Sequence, residues 1–261
     1  MKPAKKPPPP SSGEPSRAAE RQRRQFDERD RLIRDAAQRL LHERGLHGFS
    51  MEDVAAAIQY SKGTVYLHYT SKEDALVASC ADRVGQLAER LERAAAYPGT
   101  TRERMLAITE THGRFVGENP VKFRTLPIMH SPSVLEKAAP ERRQAIDAGI
   151  ERTLAACTGV VREAVTRGDL ELPADKRPED VSFALFALMF GSHMLADLHA
   201  PKGLLGVTDP AAAVCVNWET YMDGLGWKPV LGRAETDAAY RRIRQALFPP
   251  PDREPDAPGT K

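Results

Sequence analysis

Residues 50–75, SMEDVAAAIQYSKGTVYLHYTSKEDA, decide the fold. The stretch opens on Ser50, with Glu52 and Asp53 directly behind it. That is how a helix starts: a serine as N-cap, and negative charge at the positive end of the peptide dipoles. Val54, Ala55 and Ile58 give a short helix, Met51 to about Ile58, one apolar face. Gln59-Tyr60-Ser61 predicts a tight turn, and a second short helix follows from Lys62 to about Tyr69. Thr70 and Glu73 form a T-x-x-E capping box for a longer helix. No acidic residue occurs from Val54 to Lys72, so Ser61 to Lys72 offers only neutral and cationic donors. Short helices on either side of a tight turn make a helix-turn-helix. The later helix of such a unit lies in the major groove, the only groove in which all four base pairs are distinguishable.

Working outward, the pattern is helical throughout. From Asp27, Leu32, Ala36 and Leu40 recur at four-residue spacing beside Ile33, Ala37 and Leu41, and Gly45 closes that helix. Beyond the capping box, Leu76, Cys80, Val84, Leu87 and Leu91 line one helix that Pro98-Gly99 ends. Further helices are separated by Asn119-Pro120, Ser131-Pro132, Gly168-Asp169 and Pro173 to Pro178. One carries Ile146, Ile150, Leu154, Val161 and Val165. Asp209-Pro210 starts another, with Val214, Trp218, Tyr221 and Leu225 on one face. Ala234 to Leu247 is a last amphipathic segment. No strand alternation and no internal repeat is visible. The expected fold is all-α: a three-helix helix-turn-helix DNA-binding domain at 27–75 and a helical bundle at 76–248 for ligand binding and dimerisation. Disordered tails are expected at 1–26, basic and Pro-rich, and at 249–261.

The chain has 261 residues, with 28% charged, 6% aromatic and a formal net charge of +2. The positive excess is local: residues 1–28 hold seven Lys/Arg against four Asp/Glu, and residues 29–75 hold seven of each. A broad basic coat is therefore absent, and nucleic-acid recognition must come from placement. In the arm, Lys2, Lys5, Lys6, Arg17, Arg21, Arg23 and Arg24 read first as a solvated tail and second as phosphate contacts. Cys80, Cys157 and Cys215 are odd in number and far apart, so no disulfide framework or cysteine metal site is expected. The N-terminus shows no secretory signal and no apolar run reaches bilayer length, so no membrane partner is expected and the expected compartment is the cytoplasm.

Arg31 to about Val84 resembles the N-terminal domain of the TetR family of bacterial transcriptional repressors. The resemblance is carried by AAQRLLHERGLHGFSMEDVAAAI and YSKGTVYLHYTSKEDAL, above all by the T-V-Y-x-H-Y-x-S-K-E core. More weakly, VREAVTRGDLELPADKRPEDVSFALFALMFG resembles the family's C-terminal pattern, a Gly-Asp turn before an apolar dimerisation helix. The resemblance implies a homodimer that represses transcription from palindromic operator DNA until a small ligand releases it. It implies that Lys62, Gly63 and Thr64 open the recognition helix toward bases or phosphates. Tyr66 and His68 would face the groove or its walls, Lys72 would meet a phosphate, and Ser50 would do likewise through its helix start. Tyr69 falls where the family has a packing aromatic.

Val181 to Leu198 is apolar on too many faces for a monomer surface, with Phe183, Phe186 and Phe190 on one side and Leu185, Leu188 and Met189 on another. One face suits the intrachain core and another a twin subunit. Candidate ligand contacts are Met105, Ile108, Thr109, His112, Phe115, Phe123, Met129, Leu154, Phe186, Met189, Phe190 and His193. Together they suggest a mainly apolar cavity with a few polar groups, although each alone also reads as core. His193 and Asp197 have a metal-compatible spacing but no further ligands, so no metal and no cofactor is expected. No G-x-S-x-G, P-loop, G-x-G-x-x-G or H-E-x-x-H occurs, and no enzyme is expected. An architectural DNA bender would need an apolar wedge or a broad basic surface, and neither is visible. A DNA-binding protein whose bundle only dimerises is the reading left beside ligand control.

Overall fold

The computed structural model describes residues 17–118, 125–196, 206–207 and 209–249. Every regular element among them is a helix: α1 (Arg17–Arg44), α2 (Met51–Ala57), α3 (Lys62–Tyr66), α4 (Lys72–Ala95), α5 (Thr101–Glu118), α6 (Leu126–Met129), α7 (Pro132–Leu135), α8 (Pro140–Arg167), α9 (Pro178–Ala196), α10 (Pro210–Gly224) and α11 (Arg233–Leu247). None of them is long and apolar enough to cross a membrane.

Helix α1 begins at Arg17, ten residues before the apolar period starts at Asp27. Its first turns, RAAERQRR, are strong helix formers that are exposed all round. Apolar periodicity cannot detect such a stretch, whereas intrinsic propensity can sustain it once a packed helix lies downstream. The cap of α4 is also shifted by one residue from the predicted box. Ser71 Oγ accepts from the Asp74 amide at 3.0 Å, and Asp74 Oδ2 accepts from the Thr70 amide at 3.2 Å. Glu73 is instead buried and paired with Lys137 at 3.0 Å. The turn between α2 and α3 holds Gln59 at φ 58, the left-handed region that a side chain rarely occupies.

Among the described residues two apolar clusters fill the interior. One lies under α1–α4, with Ile33, Val54, Val65, Tyr69 and Leu76 fully or nearly fully buried. It does not stop at residue 75 but continues into Met129, Val134 and Ile146. The other is built around Trp218, Trp227, Met105 and Leu185 in the far half of the bundle. Helix α8 packs along α4 and joins the two. Gly149 permits that approach: a Cβ there would fall 2.8 Å from Cγ1 of Val84.

Buried charge in the bundle is answered. The guanidinium of Arg102, 1% exposed, donates to the Trp227 carbonyl at 2.8 Å and pairs with Asp223. Trp227 Nε1 donates to Thr101 Oγ1, which donates to Asp169, so the start of α5 is tied to the segments that follow α8 and α10. Glu110 takes Arg244 at 2.9 and 3.0 Å and Arg114 at 2.6 Å. Burial alone would push its carboxyl up, but the two arginines outweigh burial and hold it below the ordinary range. A lowered carboxylate pKa adds stability above the unfolded value, and that stability is lost as pH falls through the folded one. Glu110→Gln should therefore cost about 1.5–3 kcal/mol at neutral pH. In denaturant titrations its gap to wild type should close below the ordinary glutamate value of 4.5. A gap that stays constant with pH would show that packing, not charge, sets the effect.

The burial of Cys80 and Cys157 pushes both thiols up to about 12. Their inertness agrees with packing as the role of each.

Helix α9 divides its apolar faces as an all-round apolar helix must. Leu185 and Met189 enter the core, at 0% and 3% exposure. Phe186 and Phe190 stack on each other with centroids 5.9 Å apart and face a cavity. Phe183 points outward and is 73% exposed. Phe186 is thus no part of the outer face, on which Phe183, Ala187, Gly191 and Leu195 follow at four-residue spacing.

Candidate nucleic-acid interface and effector cavity

The interface is built on the α2–α3 unit. Ser50 Oγ accepts from the Asp53 amide at 3.3 Å and the Asp53 carboxylate accepts from the Ser50 amide at 2.8 Å, which fixes the start of α2. Ser61 caps α3 in the same way, taking the Thr64 amide at 3.2 Å. Val65 is fully buried and anchors α3 to the core. Lys62, Gly63 and Tyr66 are left exposed and Thr64 half-buried. The Lys62 ammonium pairs with Glu52 and lies 5.5 Å from the centroid of the Tyr66 ring. Glu52 raises the lysine pKa, so the cation is secure at any physiological pH.

Two of the predicted DNA contacts sit elsewhere. His68 is buried rather than facing the groove: Phe26 stacks on its ring at 4.1 Å and Asp30 lies 3.4 Å from Nδ1. The extra turns of α1, invisible to apolar periodicity, supply that cover. Lys72 is a brace rather than a free cation. Its ammonium donates to the carbonyls of Leu46 and Phe49, each at 2.6 Å, and lies 4.8 Å over the Phe49 ring. Carbonyls past the end of a helix lack intrahelical partners, and Lys72 fills that need. Leu67, overlooked in the sequence, is 82% exposed beside Tyr66. Its signal was an apolar residue one place past a predicted groove-facing one.

A cavity of about 400 Å³ opens in the bundle between α4, α5, α6, α8 and α9. Of the predicted ligand contacts, His112, Phe186 and Phe190 line it. Leu154 lies on an adjoining shallow groove and a small inner pocket. Phe115 does not line the cavity and instead lies under two arginines. Met105, Ile108 and Met189 are packed into the bundle core, and Thr109 there donates to the Met105 carbonyl at 3.0 Å. Met129 belongs to the cluster shared with the DNA-binding unit. Phe123 and the side chain of His193 lie outside the described residues, as does Asp197. Val84, Leu87, Leu126, Pro127, His130, Ile150 and Thr153 also line the cavity, although periodicity marks them only as core or loop. The walls are almost wholly apolar, with His112, His130 and Thr153 as polar points. Among the described residues no group of three or more His, Cys, Asp or Glu is placed to hold a metal.

A clamp joins cavity and interface. Arg142, in the first turn of α8, lies 3.1 Å from Asp74 and donates to the His68 carbonyl at 3.2 Å. Its guanidinium also covers the Tyr69 ring at 4.3 Å. Asp74 accepts from the Ala139 amide at 3.0 Å, and Ser71 Oγ donates to the Lys137 carbonyl at 3.1 Å. The chain from the cavity wall at Leu126 and Pro127 therefore leads, through α7, straight onto the junction of α3 and α4.

Residues 33–78 match the family model described as "Bacterial regulatory proteins, tetR family". The chain's N-terminal helices thus match the tetR-family regulatory domain. It is 25% identical over 146 residues to the fatty acid metabolism regulator protein of Bacillus subtilis, covering 56% of this chain and 72% of that protein. Solved structures share the fold. A tetR-family regulatory protein from Rhodococcus RHA1 superposes with a TM-score of 0.61 at 20% identity, covering 76% of this chain and 97% of that one. FadR of Bacillus subtilis, solved in complex with stearoyl-CoA, gives 0.56 at 18% identity, covering 77% and 98%. SmeT, repressor of the Stenotrophomonas maltophilia multidrug efflux pump, gives 0.58 at 22% identity, covering 78% and 93%. The chain accordingly shares with these regulators a fold of an N-terminal helix-turn-helix followed by a helical C-terminal domain.

Proposed function

We propose that the protein is a repressor that binds palindromic operator DNA as a homodimer in the cytoplasm and is released by an apolar effector of the acyl type. Residues 27–75 form the DNA-binding domain and 76–248 the ligand-binding and dimerisation domain. In the DNA-bound state Lys62, Gly63, Thr64 and Tyr66 meet the major groove, and the capped start of α2 at Ser50 meets a phosphate. Lys72 and His68 hold the unit in shape. The observation that carries the reading is a nearly apolar cavity of about 400 Å³ in the same chain as an exposed recognition helix. That volume lies within the usual range for small-molecule sites. The Bacillus subtilis relative, by name a regulator of fatty acid metabolism, supports the acyl class.

The test is fluorescence anisotropy with a duplex from the protein's own promoter and a scrambled duplex, with and without decanoyl-CoA. Promoter DNA should bind about a thousandfold or more tighter than the scrambled duplex at physiological salt. Decanoyl-CoA should weaken it about 5- to 150-fold, and the promoter duplex should weaken decanoyl-CoA binding by the same factor. Equal DNA affinity in its presence would leave a DNA-binding protein whose bundle only dimerises.

The clamp gives the release a route. An effector that shifts α6 and the start of α8 displaces Arg142 and Ala139 from Asp74, and so tilts α3. Arg142→Gln should leave effector affinity within about twofold while cutting the effector's influence on DNA binding to less than about threefold, against the 5- to 150-fold of wild type. Undiminished coupling in this variant would place the route along α4 alone.

A further inference from the structure

The cavity answers for the apolar part of an effector only. On the helices that supply its walls, Arg83 and Arg90 of α4 both lay their guanidinium groups on the ring of Phe115 of α5, at 4.2 and 5.1 Å from the centroid. Arg90 is held by Glu118 at 2.7 Å. Arg83 is half-buried and makes no hydrogen bond or ion pair among the described residues. One carboxylate thus serves two guanidinium groups, and the donors of Arg83 are unused. Burial makes the Arg83 cation less favourable than in water; Glu118 offsets part of that and the nearby Arg90 charge adds to it. A partly desolvated cation with unused donors is the condition that an oxyanion relieves.

Position ties this cluster to the cavity. Leu87, a cavity wall, follows Arg83 by four residues and precedes Arg90 by three, and Phe115 follows the cavity residue His112 by three. Side chains at these spacings are neighbours on a helix surface. The cationic unit and the apolar wall therefore occupy adjacent stripes of the same two helices. A molecule spanning both stripes must be apolar along its length and anionic at one end.

We infer that Arg83 and Arg90, stacked on Phe115, form the head-group site for an anionic amphiphile whose aliphatic chain fills the cavity. This inference rests on the effector reading above. A fatty-acid carboxylate and the phosphates of a nucleotide thioester present the same chemistry, an oxyanion joined to an aliphatic chain. Phe115 serves as the platform that holds both guanidinium groups.

The test is titration calorimetry on the full chain with decanol, decanoate, decyl phosphate and decanoyl-CoA. At least one anionic probe should bind about tenfold to a hundredfold tighter than decanol, the range of a charge-assisted hydrogen bond. Preference for decanoate identifies the carboxylate source, and preference for decyl phosphate and decanoyl-CoA the phosphate source; either supports the site. The pair R83Q/R90Q should bring the anions to within about threefold of decanol while decanol affinity stays unchanged. R83Q alone breaks no ion pair, so it should keep the wild-type Tm and still lose most of the preference. An anion preference that survives in both variants overturns the site. Equal binding of decanol and all anions by the wild type overturns it too, but leaves the apolar cavity as the effector site. Binding of no probe removes both readings.

Discussion

Replacing Phe183 with arginine is expected to leave the protein monomeric at micromolar concentration and to weaken operator binding by about a thousandfold. Phe183 is 73% exposed on a helix whose opposite faces fill the core and line the cavity. Along its outer face Ala187 and Gly191 are small enough to let a second helix approach closely, and Leu195, 52% exposed, extends the stripe. Val216, 57% exposed, adds to it from α10, which packs against α9. An apolar stripe of this kind, without charge, suits a self-complementary twofold interface, and its centre is where binding energy concentrates. Two arginines facing one another there would be desolvated without partners. The monomer should fold unchanged, because Phe183 contributes nothing to the core. Two linked half-sites bind far more tightly than one, so loss of the dimer reaches the DNA directly. Sedimentation velocity and promoter anisotropy on the same sample check both halves. A variant that stays dimeric moves the interface to another face.

Replacing Tyr66 with alanine should lower promoter affinity by about thirtyfold to a thousandfold, from about 1–2 kcal/mol at each of two half-sites. The ring is 42% exposed, too large and too well presented for a merely solvated residue on a helix of five residues. The Lys62 ammonium over one face holds it, and Leu67 beside it offers an apolar surface suited to a thymine methyl group. Stability should hardly change, because Val65, Tyr69 and Met51 rather than Tyr66 make the local core. The discriminating measurement is the ratio of promoter to scrambled affinity. It should fall with Tyr66→Ala, whereas loss of a phosphate contact would lower both affinities alike. An unchanged ratio would assign base reading to other residues of α3.

Of the DNA-binding unit, the sequence by itself determined most. Apolar spacing, the serine cap at Ser50 and a run free of acidic residues are local signals, and local signals survive without a partner helix. The cap at Ser50 was legible in local signals, and the buried Tyr69 and exposed Tyr66 in the family resemblance, whereas the cap at Ser61 was hidden in a predicted turn. His68 and Lys72 needed tertiary information. Their side chains are equally suited to phosphate and to an intramolecular acceptor, and only the placement of Phe26, Asp30 and the carbonyls of Leu46 and Phe49 decided between the two.

In the bundle the balance is reversed. An apolar residue facing a filled core and one facing a cavity carry the same helical period, so Met105 and Phe186 were indistinguishable until packing separated them. The same holds for Phe183 and Leu185, both apolar on one helix, one outward and one sealed. The clamp of Arg142 on Asp74 and the pairing of Arg83 and Arg90 on Phe115 join residues far apart in the chain. Periodicity reports which face of a helix avoids water. What that face meets, whether a core, a hollow or a neighbouring ring, depends on how the helices lie against one another, and only the tertiary structure decides that.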